Sequence, residues 1–457
     1  MSPSSSGRRR RRRRSSSSRT AIDPARLAWR KDSHEIGVGQ EGSEAVVTKR
    51  SFSTSAFNVT AILSFCQVAN LIALMTFPSV LPAVTAEWHL SSSEAGWIGG
   101  IYFAGYAAAV PFLSRSTDRI DGRWIVGGSS LLGAAVSFAF SAIADGFWAA
   151  LVFRFLGGAA LAGVAMPGLV LLAQHVEGPR QQRCVSVYSS SYALGSAASF
   201  LVAGVVDAMF GWRAVFVAGG LGPLLAVVAV ACLPRSSSHP SSVAEQGVVV
   251  PAIRNRAFMA YVVAFAGNTW EVFGIRVWFV ACLAWTLRVP GNKLDLPNLA
   301  LISGLAALMG VPASILVAEL ATRWQRPHVI AATCLASGVV CLALAATAGG
   351  PIILVLVLLI LLQISSFADV GALGVGAVSS VDPRRRGAAL AIYSLAGYTT
   401  GLAGSVMFGF CLDWFGGADS RSGWAAAFTV LALGPVVTGT VLWRVRKKDD
   451  AALRDAA

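Results

Sequence analysis

From Phe57 onward the chain alternates long apolar runs with short polar connections. Twelve runs predict helices over about 57–80, 94–114, 124–144, 147–173, 183–206, 212–233, 258–287, 298–320, 327–347, 351–379, 386–411 and 423–443. Each is long enough to cross about 30 Å of hydrocarbon as a helix. Polar or small residues interrupt the first and tenth runs. Three hydrophilic stretches frame the runs. Residues 1–56 are Ser/Arg-rich without a sustained apolar face, which predicts a disordered cytoplasmic tail; 234–257 form a central loop, and 445–457 a second tail. The membrane part thus divides into two six-helix halves, 57–233 and 258–444, of an all-α integral membrane bundle.

The halves repeat each other. Pro179-Arg180, Tyr188-Ser189, Asp207, Gly211-Trp212, Phe216 and Gly222-Pro223 return in the same order as Pro383-Arg384, Tyr393-Ser394, Asp413, Gly423-Trp424, Phe428 and Gly434-Pro435. Copies in one order and one membrane orientation are parallel repeats.

Composition agrees with the pattern, at 55% hydrophobic and 13% charged residues. The formal charge of +14 invites a nucleic-acid reading, but Arg8 to Arg14 and Arg19 supply eight of it from one tail, leaving +6. No nucleic-acid partner is expected. Arginines concentrate in the connections after even-numbered runs, for example Arg119, Arg123, Arg180, Arg323 and Arg326. By the positive-inside rule these connections, the central loop and both termini are cytoplasmic in a cell inner membrane. Seven cysteines stand singly, without a C-x-x-C pair, and read as free lipid- or core-facing thiols. No catalytic, metal-binding or phosphate-binding motif is present, so neither an enzyme nor a cofactor or metal is expected.

Few polar side chains interrupt the runs. Full charges inside them are Arg154 in run four, Glu271 and Arg276 in run seven, and Asp369 in run ten; Gln67, Asn70, Tyr106 and Asn268 are uncharged companions. A charge at mid-membrane costs about 2.5–3.5 kcal/mol on insertion scales, so such residues usually face a protein interior. Asn268 and Glu271 are neighbours at i, i+3, whereas Glu271 and Arg276, five apart, diverge on an ideal helix. Either Gly274 breaks the helix and they converge, or Glu271 pairs with Arg154 and Arg276 with Asp369. The carboxyls serve proton coupling or a static pairing that holds helices in register. The arginines bind an anionic solute or are already neutralised by the carboxyls.

Between runs two and three stands Ser114-Arg-Ser-Thr-Asp118-Arg119-Ile-Asp121-Gly122-Arg123, and the second half echoes it at Glu319-Leu-Ala-Thr-Arg323. Run four carries Leu151-Val-Phe-Arg154-Phe-Leu-Gly-Gly158. With twelve runs and parallel halves, these motifs resemble the major facilitator superfamily of secondary transporters over about residues 57–443. The first is similar to its G-x-x-x-D-R-x-G-R-R signature, with Ser114 for the leading Gly and one residue inserted before Gly122. The resemblance implies that runs one, four, seven and ten line a central cavity and that Arg154 serves proton coupling or substrate binding. It also implies that Asp118, Arg119, Arg123, Glu319 and Arg323 form a conformational latch. Trp270-Glu271-Val-Phe-Gly274-Ile-Arg276 and Asp369 add a general likeness to cyanate and nitroimidazole permeases. The expected function is a monomeric, proton-coupled transporter of a small solute, with an anion as one option. A transport-inactive membrane sensor using the basic tail is the alternative.

Overall fold

The computed structural model describes residues 41–117, 119–176, 180–233, 254–296, 298–382 and 386–455, and the side chains among them outside 41–55, 114–115, 386–388 and 445–455. The poly-arginine tail, most of the central loop and Asp118 lie outside the described residues. Residues Phe52–Ala457 form one compact unit, which holds the whole membrane part.

Among the described residues, twelve helical spans are long and apolar enough to cross a membrane: Ala56–Trp88, Ser92–Leu113, Gly122–Ile143, Phe147–His175, Gln181–Phe210, Trp212–Ala231, Arg256–Arg288, Leu299–Arg323, Arg326–Ala346, Ile352–Ser379, Ala389–Trp414 and Arg421–Arg444. A helix satisfies its own backbone, which is why apolar runs in lipid take this form. The first span is longer than the apolar run suggests and is broken between Leu71 and Thr76. The tenth changes helix at Asp369. Both interruptions are visible in the sequence; the break of the twelfth span at Ala432 is not.

Within each half the spans cross with backbone against backbone. Gly158 of span four lies against Tyr102 O and Tyr106 N of span two, and Gly404 of span eleven against Trp270 O of span seven. Small residues permit this approach, which supplies packing where lipid gives no hydrophobic drive. The largest apolar cluster joins both halves, uniting Phe77, Phe103 and Phe216 with Phe273, Trp278 and Phe408. Three smaller clusters each belong to one half: around Leu63, Val126 and Leu171, around Ile330 and Leu373, and around Phe258 and Ala389. The joining cluster lies toward the end where span one gives way to span two, here termed the Ser92 end.

Hydrogen bonds tie the halves at this same end. The Asp413 carboxylate, at the close of span eleven, accepts from Ser92 N at 3.0 Å, Ser93 N at 2.7 Å and Ser93 Oγ at 2.6 Å. It therefore caps the N-terminus of span two from the opposite half, where exposed amides and the helix dipole favour an anion. At the pseudo-equivalent crossing, Asn298 caps its own span eight and donates to Gly204 O of span five at 3.0 Å. Losing a cap costs about 1 kcal/mol. Asp413→Ala is expected to raise the labelling rate of a cysteine at Val406, buried against Gly96, by about fivefold. Asp413→Asn, which keeps an acceptor, should fall between; identical rates in all three proteins would show that the cap does not hold the halves together.

Candidate functional site

Span one opens at its break, freeing carbonyls in the middle of a bundle. Arg154 of span four donates from Nη1 to Ala73 O at 3.3 Å and from Nη2 to Leu74 O at 3.0 Å. Ser199 of span five donates to Ile72 O at 2.6 Å and accepts from Met75 N at 2.9 Å. The Tyr102 ring lies 4.4 Å from the guanidinium carbon, a cation–π contact. Irregular backbone at this depth needs such partners. Arg154 thus meets backbone and an aromatic face, and not Glu271. Nearby, Asn70 donates to Cys66 O at 2.8 Å and Ser130 Oγ at 3.0 Å, while Gln67 is buried with Oε1 unpartnered.

The carboxyls sit in the other half. Asn268 donates to Asp369 Oδ1 at 2.8 Å and to Ser366 O at 2.8 Å, and Cys334 Sγ reaches Asp369 Oδ2 at 2.7 Å. Glu271 accepts from Ser337 Oγ at 2.5 Å and from Cys341 Sγ at 3.6 Å, and Ser337 continues to Ser365 Oγ at 2.9 Å. Both carboxyls are 1% exposed, and their hydrogen-bond partners are two thiols, a hydroxyl and an amide rather than a cation. Cys334, Ser337 and Cys341 fall at i, i+3 and i+7 on span nine, one helical face. As isolated thiols in an apolar run these cysteines look like packing groups; the stripe of small polar residues was the available signal.

Arg276 lies where the halves meet. Its Nη1 donates to Ser196 Oγ of span five at 2.8 Å, and the Phe367 ring lies 4.9 Å from its guanidinium carbon. Aromatic rings continue the junction. Phe103 stacks on Phe273 at 3.8 Å, and Tyr106 packs against Tyr398 at 4.2 Å, each pair drawn from both halves. Tyr192 stands one turn from Ser196 on span five.

The expected charge pairs do not form. Among the described residues the ion pairs are Arg123–Asp121, Arg213–Glu87 and Arg323–Glu319, none involving the four deep charges. Gly274 does not break span seven, which runs as one helix from Arg256 to Arg288; a Cβ there would meet Leu431. Arg276 therefore stays five residues round from Glu271 and turns to the other half. Of the latch residues, Arg119 is exposed. Arg123 pairs with Asp121 at 2.7 Å and donates to Leu233 O at 3.0 Å, contacts within its own half. The Arg123 guanidinium holds the Asp121 carboxyl below the usual carboxylate range. Glu319 and Arg323 form an exposed pair one turn apart on span eight at 3.1 Å.

Comparison with known proteins agrees with this architecture. A niacin transporter of Acinetobacter baylyi is 29% identical over 157 residues, 34% of this chain and 36% of that protein. A gentisate transporter of Corynebacterium glutamicum is 30% identical over 146 residues, 31% of this chain and 33% of that protein. A 4-hydroxybenzoate transporter of Acinetobacter baylyi is 28% identical over 162 residues, 34% of each chain. The matched stretches thus span about a third of these relatives' lengths. The fold is shared with a bacterial homolog of the human lysosomal transporter Spinster, in an inward-facing and occupied conformation, at a TM-score of 0.70 and 16% identity over 85% of this chain and 96% of that one. The family profile of the Major Facilitator Superfamily matches residues 63–381. Twelve spans in two parallel halves, with that match across most of the membrane part, place the chain in the Major Facilitator Superfamily.

Proposed function

We propose that the chain is a secondary active transporter that carries a small aromatic carboxylate with protons, by alternating access between halves 57–233 and 258–444. The carrying observation is Arg276, a buried guanidinium at the junction of the halves that meets Ser196 and the Phe367 ring, in a junction that also holds the Phe103–Phe273 stack and the Tyr106–Tyr398 pair. A guanidinium fork matches a carboxylate, and flat rings match an aromatic solute. Niacin, gentisate and 4-hydroxybenzoate, named for the relatives, each combine one aromatic ring with one carboxylate, and we favour that class over cyanate- or nitroimidazole-type solutes. Glu271 and Asp369, with Asn268 beside them, carry the protons. With the arginine-rich connections and both termini in the cytoplasm, the joined Ser92 end faces outward, in a bacterial-type inner membrane. Asp118, Arg119 and Arg123 latch the opposite end when the halves rock.

The test is uptake of radiolabelled nicotinate, benzoate and 4-hydroxybenzoate into proteoliposomes under an inward proton gradient. Arg276→Ala is expected to raise KM about 10–100-fold, the worth of a charge-assisted hydrogen bond; Arg276→Lys should restore part of it. Uptake with an unchanged KM would remove Arg276 from the site. No flux of any panel member would favour the transport-inactive sensor.

A further inference from the structure

Arg154 is a buried cation with an unmet need. Among the described residues no carboxylate forms an ion pair with it, and its surroundings are two backbone carbonyls and two aromatic rings. Carbonyls satisfy N–H donors but carry no net charge. Arginine does not escape by losing its proton, and an isolated buried ion costs several kcal/mol. One donor nitrogen also stays wholly without a partner, the buried Arg154 Nε.

A cavity of about 20 Å³ lies beside this group inside the first half, lined by Arg154, Asn70, Thr76, Tyr102, Ser137 and Phe153 among others. Space of that size holds one water or one monatomic ion. It is far too small for an aromatic ring. The lining is apolar apart from a few polar side chains: Thr76 donates to Ala73 O, the Asn70 amide donates to Cys66 O and Ser130 Oγ, and Ser137 and Arg154 complete the set.

We propose that this cavity binds a small monovalent anion of halide size, chloride in the cell, as the counter-ion of Arg154. The ion would neutralise the guanidinium without drawing it from the span-one carbonyls, so its occupancy stabilises the broken form of that span. The site is separate from the Arg276 junction, and its existence does not depend on which solute is carried.

Purified full-length protein is heated in sodium gluconate, with sodium chloride or sodium bromide substituted at constant ionic strength. Chloride and bromide are expected to raise Tm saturably, by about 2–4 °C. Ser137→Leu, which fills the cavity and leaves Arg154 in place, should abolish the shift, as should Arg154→Gln. In bromide-soaked crystals an anomalous peak should lie in the cavity beside the Arg154 side chain. Equal Tm in the three salts, an undiminished shift in Ser137→Leu, or a water with no anomalous signal would each overturn the proposal.

Discussion

Glu271→Gln is expected to abolish proton-driven accumulation while leaving solute counterflow intact. The side chain is buried, receives hydrogen bonds from Ser337 and Cys341, and has no arginine beside it. Such a carboxyl is costly to ionise unless water or a cation reaches it, so under the proposed coupling its protonation would follow the opening and closing of the halves. Glutamine keeps the volume and an acceptor for Ser337 but cannot carry a proton. One pH unit across the membrane is worth 1.36 kcal/mol per proton, or about tenfold accumulation. The wild type should reach about that ratio in vesicles with an acidic exterior; Glu271→Gln should stop near one, with labelled-for-unlabelled exchange unchanged. Asp369→Asn should give a partial loss, since Asn268 keeps its acceptor while the Cys334 contact is altered. Accumulation at the wild-type ratio in Glu271→Gln would end the coupling role.

The second large effect falls on stability. A Cβ at Gly158 would land on the backbone of span two, at Tyr102 O, where no rotamer change makes room. Gly158→Ala is therefore expected to destabilise by about 3 kcal/mol, the upper part of the overpacking range, even though alanine is the better helix former. Parting spans two and four would also withdraw Tyr102 from the Arg154 guanidinium, so the break in span one should suffer with it. Gly128→Ala is the control, because its Cβ would meet nothing within 4 Å; it should be neutral or stabilising by up to about 1 kcal/mol. Thermal unfolding followed by tryptophan fluorescence compares the two. Equal midpoints would mean that the helix crossing yields more easily than its geometry indicates.

Much of the architecture is legible in the chain because bilayer thickness fixes what a span must look like. Run lengths yield twelve spans, and the recurrence of Pro-Arg, Tyr-Ser and Gly-Trp yields the parallel halves. The interruptions in runs one and ten mark where helices break. Partners of the deep charges were not legible. Sequence spacing says which residues share a helix face, but Arg154 finds backbone carbonyls that exist only once span one has opened. Arg276 finds a hydroxyl eighty positions away, Ser196, whose identity carries no charge to advertise it. The thiols of Cys334 and Cys341 gain meaning only from the carboxyls that span seven and span ten bring to them.

The staple on span one also imposes an order of assembly. Ala73 and Leu74 leave the ribosome about eighty residues ahead of Arg154, and Ser199 follows later still. Until those partners arrive, an opened span would present bare carbonyls to hydrocarbon, at several kcal/mol each. The opened form of span one is therefore fully partnered only with spans four and five packed against it.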